Sequence, residues 1–141
     1  MADVHSKETR SYNMSQIKGK DTKPEVLVRK YLFSKGLRFR KNDKRYPGHP
    51  DIVLPRYKTV VFIHGCFWHL HEGCRYAIMP SSNVEFWEKK LYGNRDRDKR
   101  NKDLLEEMGW HVITIWECQL KKDNRDKTLE DLYHQIISLS D

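Results

Sequence analysis

One stretch constrains this chain more than any other. The apolar run Val60-Val61-Phe62-Ile63 leads without a break into His64-Gly65-Cys66-Phe67-Trp68-His69-Leu70-His71-Glu72-Gly73-Cys74, which carries three histidines and two cysteines. A segment apolar on both faces reads as a buried strand inside a covered sheet. Side chains that leave its end are then held in fixed geometry, as a binding or catalytic site requires. A core strand ending in an ordinary loop would begin in the same way, so the rest of the chain has to supply the partners.

The chain has 141 residues, 38% of them apolar, which is enough for one core and too little for two. A single compact domain over residues 21–141 is expected, preceded by a flexible arm over residues 1–20. A formal charge of +7 favours a polyanionic partner, and with no apolar run of membrane length that partner is expected to be nucleic acid. No charged-then-apolar leader opens the sequence, so the chain is expected to remain in the cytoplasm or nucleoid. Three cysteines in a reducing compartment are better read as metal thiolates than as a disulfide framework.

Met1 to Lys20 is polar and basic, with Met14 and Ile17 as its apolar anchors. It reads either as a disordered terminus or as an arm that orders against DNA. Thr22-Lys23-Pro24-Glu25 has the form of a capping box and predicts a helix bearing Leu27, Val28, Tyr31 and Leu32, stopped by Gly36. Leu37 to Arg40 alternates apolar and basic residues as an edge strand does. The turn Tyr46-Pro47-Gly48-His49-Pro50 delivers the chain to Asp51-Ile52-Val53-Leu54, an apolar strand opened by an unexpected carboxylate. Pro55 to Lys58 is of hairpin length. Ser82-Asn83-Val84-Glu85 has the form of a second capping box, before a helix marked by Phe86, Trp87 and Leu91. The run from Gly93 to Asp103 reads as a solvated face, or as a source of phosphate contacts from Arg95, Arg97, Lys99 or Arg100. Trp110 to Trp116 is a strong strand, Glu117-Cys118 follows it, and Thr128 is the expected cap of a final helix.

These elements bring distant residues together. The hairpin at Pro55–Lys58 makes its two strands antiparallel, which sets Asp51 beside Phe62 to His64. The helix between strands 59–65 and 110–116 makes those two parallel, so both end on the same sheet edge. Asp51, His64, Cys66 and Cys118 therefore converge. Cys66, His71, Cys74 and Cys118 form a Cys3His set suited to a structural zinc, with His69 as the alternative to His71 and three merely buried cysteines as the bland reading. Asp51, His64 and His69 remain beside it. A carboxylate and a strand carbonyl suit Mg²⁺, and histidines suit proton transfer, which together are the parts of phosphodiester hydrolysis.

Asn13-Met14, Asp21-Thr22, Glu25, Gly48 with Pro50-Asp51, His64 through His69, Glu85-Phe86-Trp87, and Gly109-Trp110 through Trp116-Glu117-Cys118 together resemble the very-short-patch-repair (Vsr) endonucleases. The resemblance runs from Arg10 to about Leu120. It implies a restriction-endonuclease-like α/β fold, a mixed central sheet flanked by helices with a structural zinc site. It further implies a Mg²⁺-dependent nick 5′ of the thymine in a T:G mismatch in double-stranded DNA. On that resemblance Asp51 and the carbonyl of Ile63 would hold Mg²⁺, His69 would be the general acid/base, His64 would assist at the phosphate, and Glu25 would lie in the outer shell. Cys66, His71, Cys74 and Cys118 fall on zinc ligands, and Phe67, Trp68 and Trp87 on a wedge that enters the base stack. Ile63 stands where threonine is expected, and the segment His69 to Cys74 is one residue longer than expected, with Gly73 placed to absorb it. A monomer is expected for an asymmetric lesion, and mismatch-repair proteins are candidate partners. The rivals are a same-fold restriction endonuclease that cuts both strands and a non-catalytic zinc-containing DNA-binding module. Phe67 and Trp68 also read as core aromatics.

Overall fold

A computed structural model describes residues 22–139. The expected arm at residues 1–20, with Asn13 and Met14, lies outside the described residues. The first helix, α1, spans Lys23–Ser34 with Pro24 in its opening turn, and it buries Val28 and Leu32 completely. The predicted capping box does not form: Thr22 is the N-cap but makes no side-chain capping bond. Glu25 is instead buried, 4% exposed, with its carboxylate 4.0 Å from Arg29 one turn on. Burial on the inward face has removed it from the cap. The stop at Gly36 holds, with φ +86° there and the Leu37 N–H donating to the Leu32 carbonyl at 3.1 Å.

Leu37 tucks into the core, so the edge strand β1 is only Arg40–Lys41, later and shorter than the predicted Leu37–Arg40. Strand β2 is Ile52–Leu54, a one-turn 3-10 helix occupies Pro55–Tyr57, and β3 is Thr59–His64. The long helix α2 is Val84–Glu107, β4 is His111–Trp116, a second 3-10 turn covers Glu117–Leu120, and α3 is Arg125–Ser138. The sheet order is β1-β2-β3-β4. As predicted, β2 runs antiparallel to β3 with Ile52 opposite Val61, and β3 runs parallel to β4 with His64 opposite Trp116.

Two further helix starts differ from their sequence signals. Asn83, not Ser82, precedes α2, in left-handed conformation and without a side-chain capping bond. Thr128 lies inside α3, which starts at Arg125; its hydroxyl donates to the Gln119 carbonyl at 2.7 Å and ties the helix to the 3-10 turn.

All six residues of β3 are buried, because helices cover both sheet faces. Strand alternation sends Val61, Ile63, Ile113 and Ile115 toward Val28 and Leu32 of α1 and Leu129, Leu132 and Ile136 of α3. Val53, Val60 and Phe62 face the other way and pack with Trp110 and with Leu105 of α2. The result is a mixed α/β sandwich of helix, sheet and helix, with β3 at its centre. Among the described residues, no helix is long and apolar enough to cross a membrane.

Candidate active site and metal centre

Where β2 begins and β3 ends, the sheet edge opens into a cleft of about 1000 Å³ lined by Glu25, Asp51, Ile63, His64, His69 and Asp98 among others. The antiparallel register fixes Asp51. Its Oδ2 accepts the Ile63 N–H at 2.6 Å, so the carboxylate is bolted to the strand that carries His64. Burial pushes Asp51 up to about 7 despite that bond, with the Glu25 carboxylate adding to the rise and His69 and Arg29 opposing it. Two neighbouring carboxylates of which one is pushed up by burial are suited to a cation, which would favour the ionised form. Asp51, Glu25 and the backbone of Ile63 therefore fit a hard divalent metal.

His64 and His69 form a parallel stack with centroids 3.9 Å apart and planes 6° apart. Burial, and then the neighbouring His69, lower His64 to about 4, so it is neutral at physiological pH. Its Nδ1 is buried and has no hydrogen-bond partner among the described residues. The Nδ1 of His69 lies 2.5 Å from Asp98 Oδ2. A carboxylate only accepts, so Nδ1 carries a proton, and in the neutral ring Nε2 is the nitrogen with the free lone pair.

Asp98 is not singled out by the sequence, since it sits in the charged run from Gly93 to Asp103, which reads as a solvated face or as a source of phosphate contacts. Leu91, Asp98 and Leu105 recur every seventh position, and both leucines are fully buried. Residues seven apart share a helix face, so a carboxylate midway between two core leucines must point inward. Asn94 and Asn101 lie on the same stripe, and the Asn94 Nδ2 donates to the Trp68 carbonyl at 3.0 Å. The charged side chains Arg95, Arg97, Lys99 and Arg100 are exposed.

Behind the histidine stack, the ligand atoms of Cys66, His71, Cys74 and Cys118 all lie within 4.8 Å of one another. The loop that gathers them is tight: the His71 N–H donates to the Cys66 carbonyl at 2.9 Å, and the Cys74 N–H to the His71 carbonyl at 3.2 Å. Gly73, at φ +72°, makes the turn between them, the position expected to absorb the extra residue. His71, not His69, faces the thiols: its Nδ1 is 3.4 Å from Cys118 Sγ, and its ring stacks on Trp116 at 4.1 Å. Tetrahedral zinc bonds of about 2.3 Å to sulfur and 2.0 Å to nitrogen give an N···S edge of about 3.5 Å, so the spacing fits. Burial pushes the Cys66 thiol up to about 12, and burial also raises Cys118. Desolvation acts in the same direction on Cys74, but the Tyr76 N–H, the other thiols and the Ala77 N–H lower it. A dication here would displace thiol protons, and the N–H groups are placed to support the resulting sulfur charge.

Phe67, Trp68 and Trp87 form one cluster, with centroids 5.2 Å apart for Phe67–Trp68, 5.5 Å for Phe67–Trp87 and 6.0 Å for Trp68–Trp87. Neither Phe67 nor Trp68 joins either core; Trp68 is 41% exposed, and Phe86, packed edge-on to Trp87, is 60% exposed. The cluster is a surface feature at the mouth of the cleft, since Trp68 also lines it.

A mixed sheet that sets a strand-bound carboxylate and a histidine–aspartate pair in one cleft, with a Cys3His centre behind it, defines an α/β nuclease of the restriction-endonuclease-like class. Comparison with known proteins gives the family. Residues 2–75 match the family model described as DNA mismatch endonuclease Vsr. The type II nicking enzyme V.NmeAIP of Neisseria meningitidis serogroup A is 55% identical over 86% of this chain and 86% of its own length. The type II nicking enzyme V.XorIIP of Xanthomonas oryzae is 47% identical over 85% of this chain and 88% of its own. The DNA mismatch endonuclease Vsr of Escherichia coli is 44% identical over 93% and 82% respectively. The chain belongs to the Vsr family of DNA mismatch endonucleases.

Proposed function

We propose that the protein nicks one strand of double-stranded DNA on the 5′ side of the thymine in a T:G mismatch, with Mg²⁺ as the catalytic ion. The observation that carries the reading is the His69–Asp98 pair in the same cleft as the half-buried Asp51, beside a partly exposed aromatic cluster. The names of the relatives add that one strand is cut, not two.

Asp51 and the Ile63 carbonyl would hold Mg²⁺, with Glu25 in its outer shell. When bound, the ion supplies a Lewis acid at the phosphate. His69 takes the proton of the attacking water at Nε2, while Asp98 holds the ring in that tautomer and offsets the charge it gains. His64, neutral and stacked on His69, fixes the plane of that ring and assists at the phosphate. Cys66, His71, Cys74 and Cys118 would hold a structural Zn²⁺, which keeps the loop bearing His69, Phe67 and Trp68 in register. Phe67, Trp68 and Trp87 act as the wedge, at a step where unstacking costs least because the pair is mismatched. Residues 1–20 serve as a DNA-contacting arm on the endonuclease domain of residues 21–141, and the protein acts as a monomer, open to stimulation by mismatch-repair proteins.

The test uses two duplexes of one sequence, T:G and T:A, end-labelled on each strand in turn and incubated with Mg²⁺ or with none. Magnesium-dependent cutting of the thymine strand of T:G alone is expected. Equal cutting of T:A would end the mismatch reading, cutting of both strands would favour a restriction enzyme, and binding without cutting a non-catalytic module.

A further inference from the structure

The catalytic cleft has a cationic side chain that the nuclease reading leaves unexplained. Its walls include the carboxylates of Glu25, Asp51, Asp98 and Glu117, and among the described residues Lys44 is its single ammonium. Glu25 has Arg29 at 4.0 Å, Glu117 has Lys121 at 3.9 Å and Asp98 has His69, so the cleft wall itself offers a DNA strand one unengaged cation, Lys44, among the described residues. One divalent ion beside Asp51 offsets charge only at the scissile phosphate.

The segment carrying Lys44 is stiffly built. Its two ends are tied together: the Asn42 N–H donates to the Asp51 carbonyl at 3.1 Å and the Asp43 N–H to the Pro50 carbonyl at 3.3 Å. Asp43 is buried, 8% exposed, and its carboxylate takes both the Nε and a terminal nitrogen of Arg45, at 2.9 and 2.7 Å. That bidentate pair consumes the charge of Arg45 and rigidifies the turn. Lys44 lies between the two, exposed, and has no ion-pair partner among the described residues. A rigid turn that neutralises one cation internally and leaves its neighbour free on the wall of the cleft is arranged to offer that neighbour to a ligand. The Asp43 N–H to Pro50 bond also fixes the turn directly to the strand start that positions Asp51.

We propose that Lys44 forms a second phosphate subsite in the cleft, binding a phosphodiester next to the scissile one and fixing the register of the cut strand. The proposal rests on the nuclease reading, and it assigns Lys44 to binding, not to the chemical step.

The experiment measures affinity for a T:G duplex without Mg²⁺, so that nothing is cut, across a series of salt concentrations. Each phosphate neutralised contributes about 0.9 to the slope of log affinity against log salt. Lys44→Ala and Lys44→Gln should each reduce the slope by about 0.9 and weaken binding about tenfold. Lys44→Arg should restore both. With Mg²⁺, the alanine variant should need more DNA for half-maximal rate yet keep its single-turnover rate at saturation. Lys127→Ala, an exposed cation in the first turn of α3, should leave the slope unchanged. An unchanged slope in Lys44→Ala, an equal loss in Lys127→Ala, or a fall in the saturating rate with affinity intact would each overturn the proposal. A wild-type protein that binds with this Lys44-dependent slope but never nicks would instead overturn the nuclease reading.

Discussion

Gly48 offers a test of how the cleft is held together, because its two costs can be separated within this one protein. It sits at φ +77°, and a Cβ there would lie 3.0 Å from Asn101 Nδ2, 3.1 Å from Asn101 Cβ and 3.1 Å from Phe62 Cε1. Asn101 Cβ is fixed to α2, and the Phe62 ring is buried in the sheet face, so neither moves aside cheaply. Gly36 is the natural control: its φ is +86°, and nothing lies within 4 Å of its would-be Cβ. Gly36→Ala should cost only the left-handed backbone term, about 1 kcal/mol. Gly48→Ala should cost that plus about 1–3 kcal/mol for crowding. Stiffening of the unfolded chain by the added methyl affects both variants alike and cancels. Urea unfolding of the zinc-loaded protein, with the denaturant slope unchanged, reads the difference. Equal losses in the two variants would refute the claim that the Gly48 turn is wedged against α2. Because the same turn delivers Asp51, the Gly48 variant should also nick more slowly, while Gly36→Ala should not.

Other expectations concern the site itself. Asp98→Asn should lower the single-turnover nicking rate by about 10²–10⁴-fold with DNA affinity unchanged, since the amide no longer selects the His69 tautomer; a rate within threefold of wild type would remove Asp98 from the mechanism. Cys118→Ser should reduce bound zinc below one equivalent and lower the melting temperature, both read on dialysed protein, and full zinc content would break the four-ligand assignment. In magnesium-free buffer Asp51→Asn should stabilise the protein at pH 8 and not at pH 3. The folded value of about 7 lies above the ordinary 3.8, so the protonated carboxyl favours folding below pH 3.8, and that contribution is lost as pH rises through 7. The gain at pH 8 should be on the order of 2 kcal/mol, after allowance for partial exposure. A stability difference independent of pH would show that Asp51 is not held protonated by its surroundings.

The strand topology was legible because it follows from connection lengths: a turn of hairpin length before β3 and a helix before β4 leave few alternatives, and both pairings hold. The convergence of Asp51, His64, Cys66 and Cys118 came with that topology. The start of α1 was legible from Thr22 although its side chain makes no capping bond, whereas the starts of α2 and α3 were not legible from Ser82 and Thr128, because a hydroxyl three residues before a carboxylate is compatible with a cap and with several other bonds. Burial of Glu25 and the Thr128 bond to Gln119 are tertiary facts. His69 and His71 could not be told apart by spacing, since both lie within reach of the thiols along the chain. The stack of His71 on Trp116 and the reach of Asp98 to His69 separate them only in three dimensions. Asp98 itself was hidden by averaging, since a run rich in charge conceals a single inward position unless its phase against Leu91 and Leu105 is counted.

Helix α2 holds Trp87 in the aromatic cluster, Asn94 on the Trp68 carbonyl, Asp98 on His69 and Asn101 against the Gly48 turn. On the proposed roles, lesion contact and proton transfer would therefore be mounted on one rigid rod and share its angular phase. A single residue inserted between Trp87 and Asp98 would rotate one relative to the other by about 100° and shift it by about 1.5 Å. In the proposed mechanism the helix would act as a gauge block, whose length sets the distance between where the DNA is read and where it is cut.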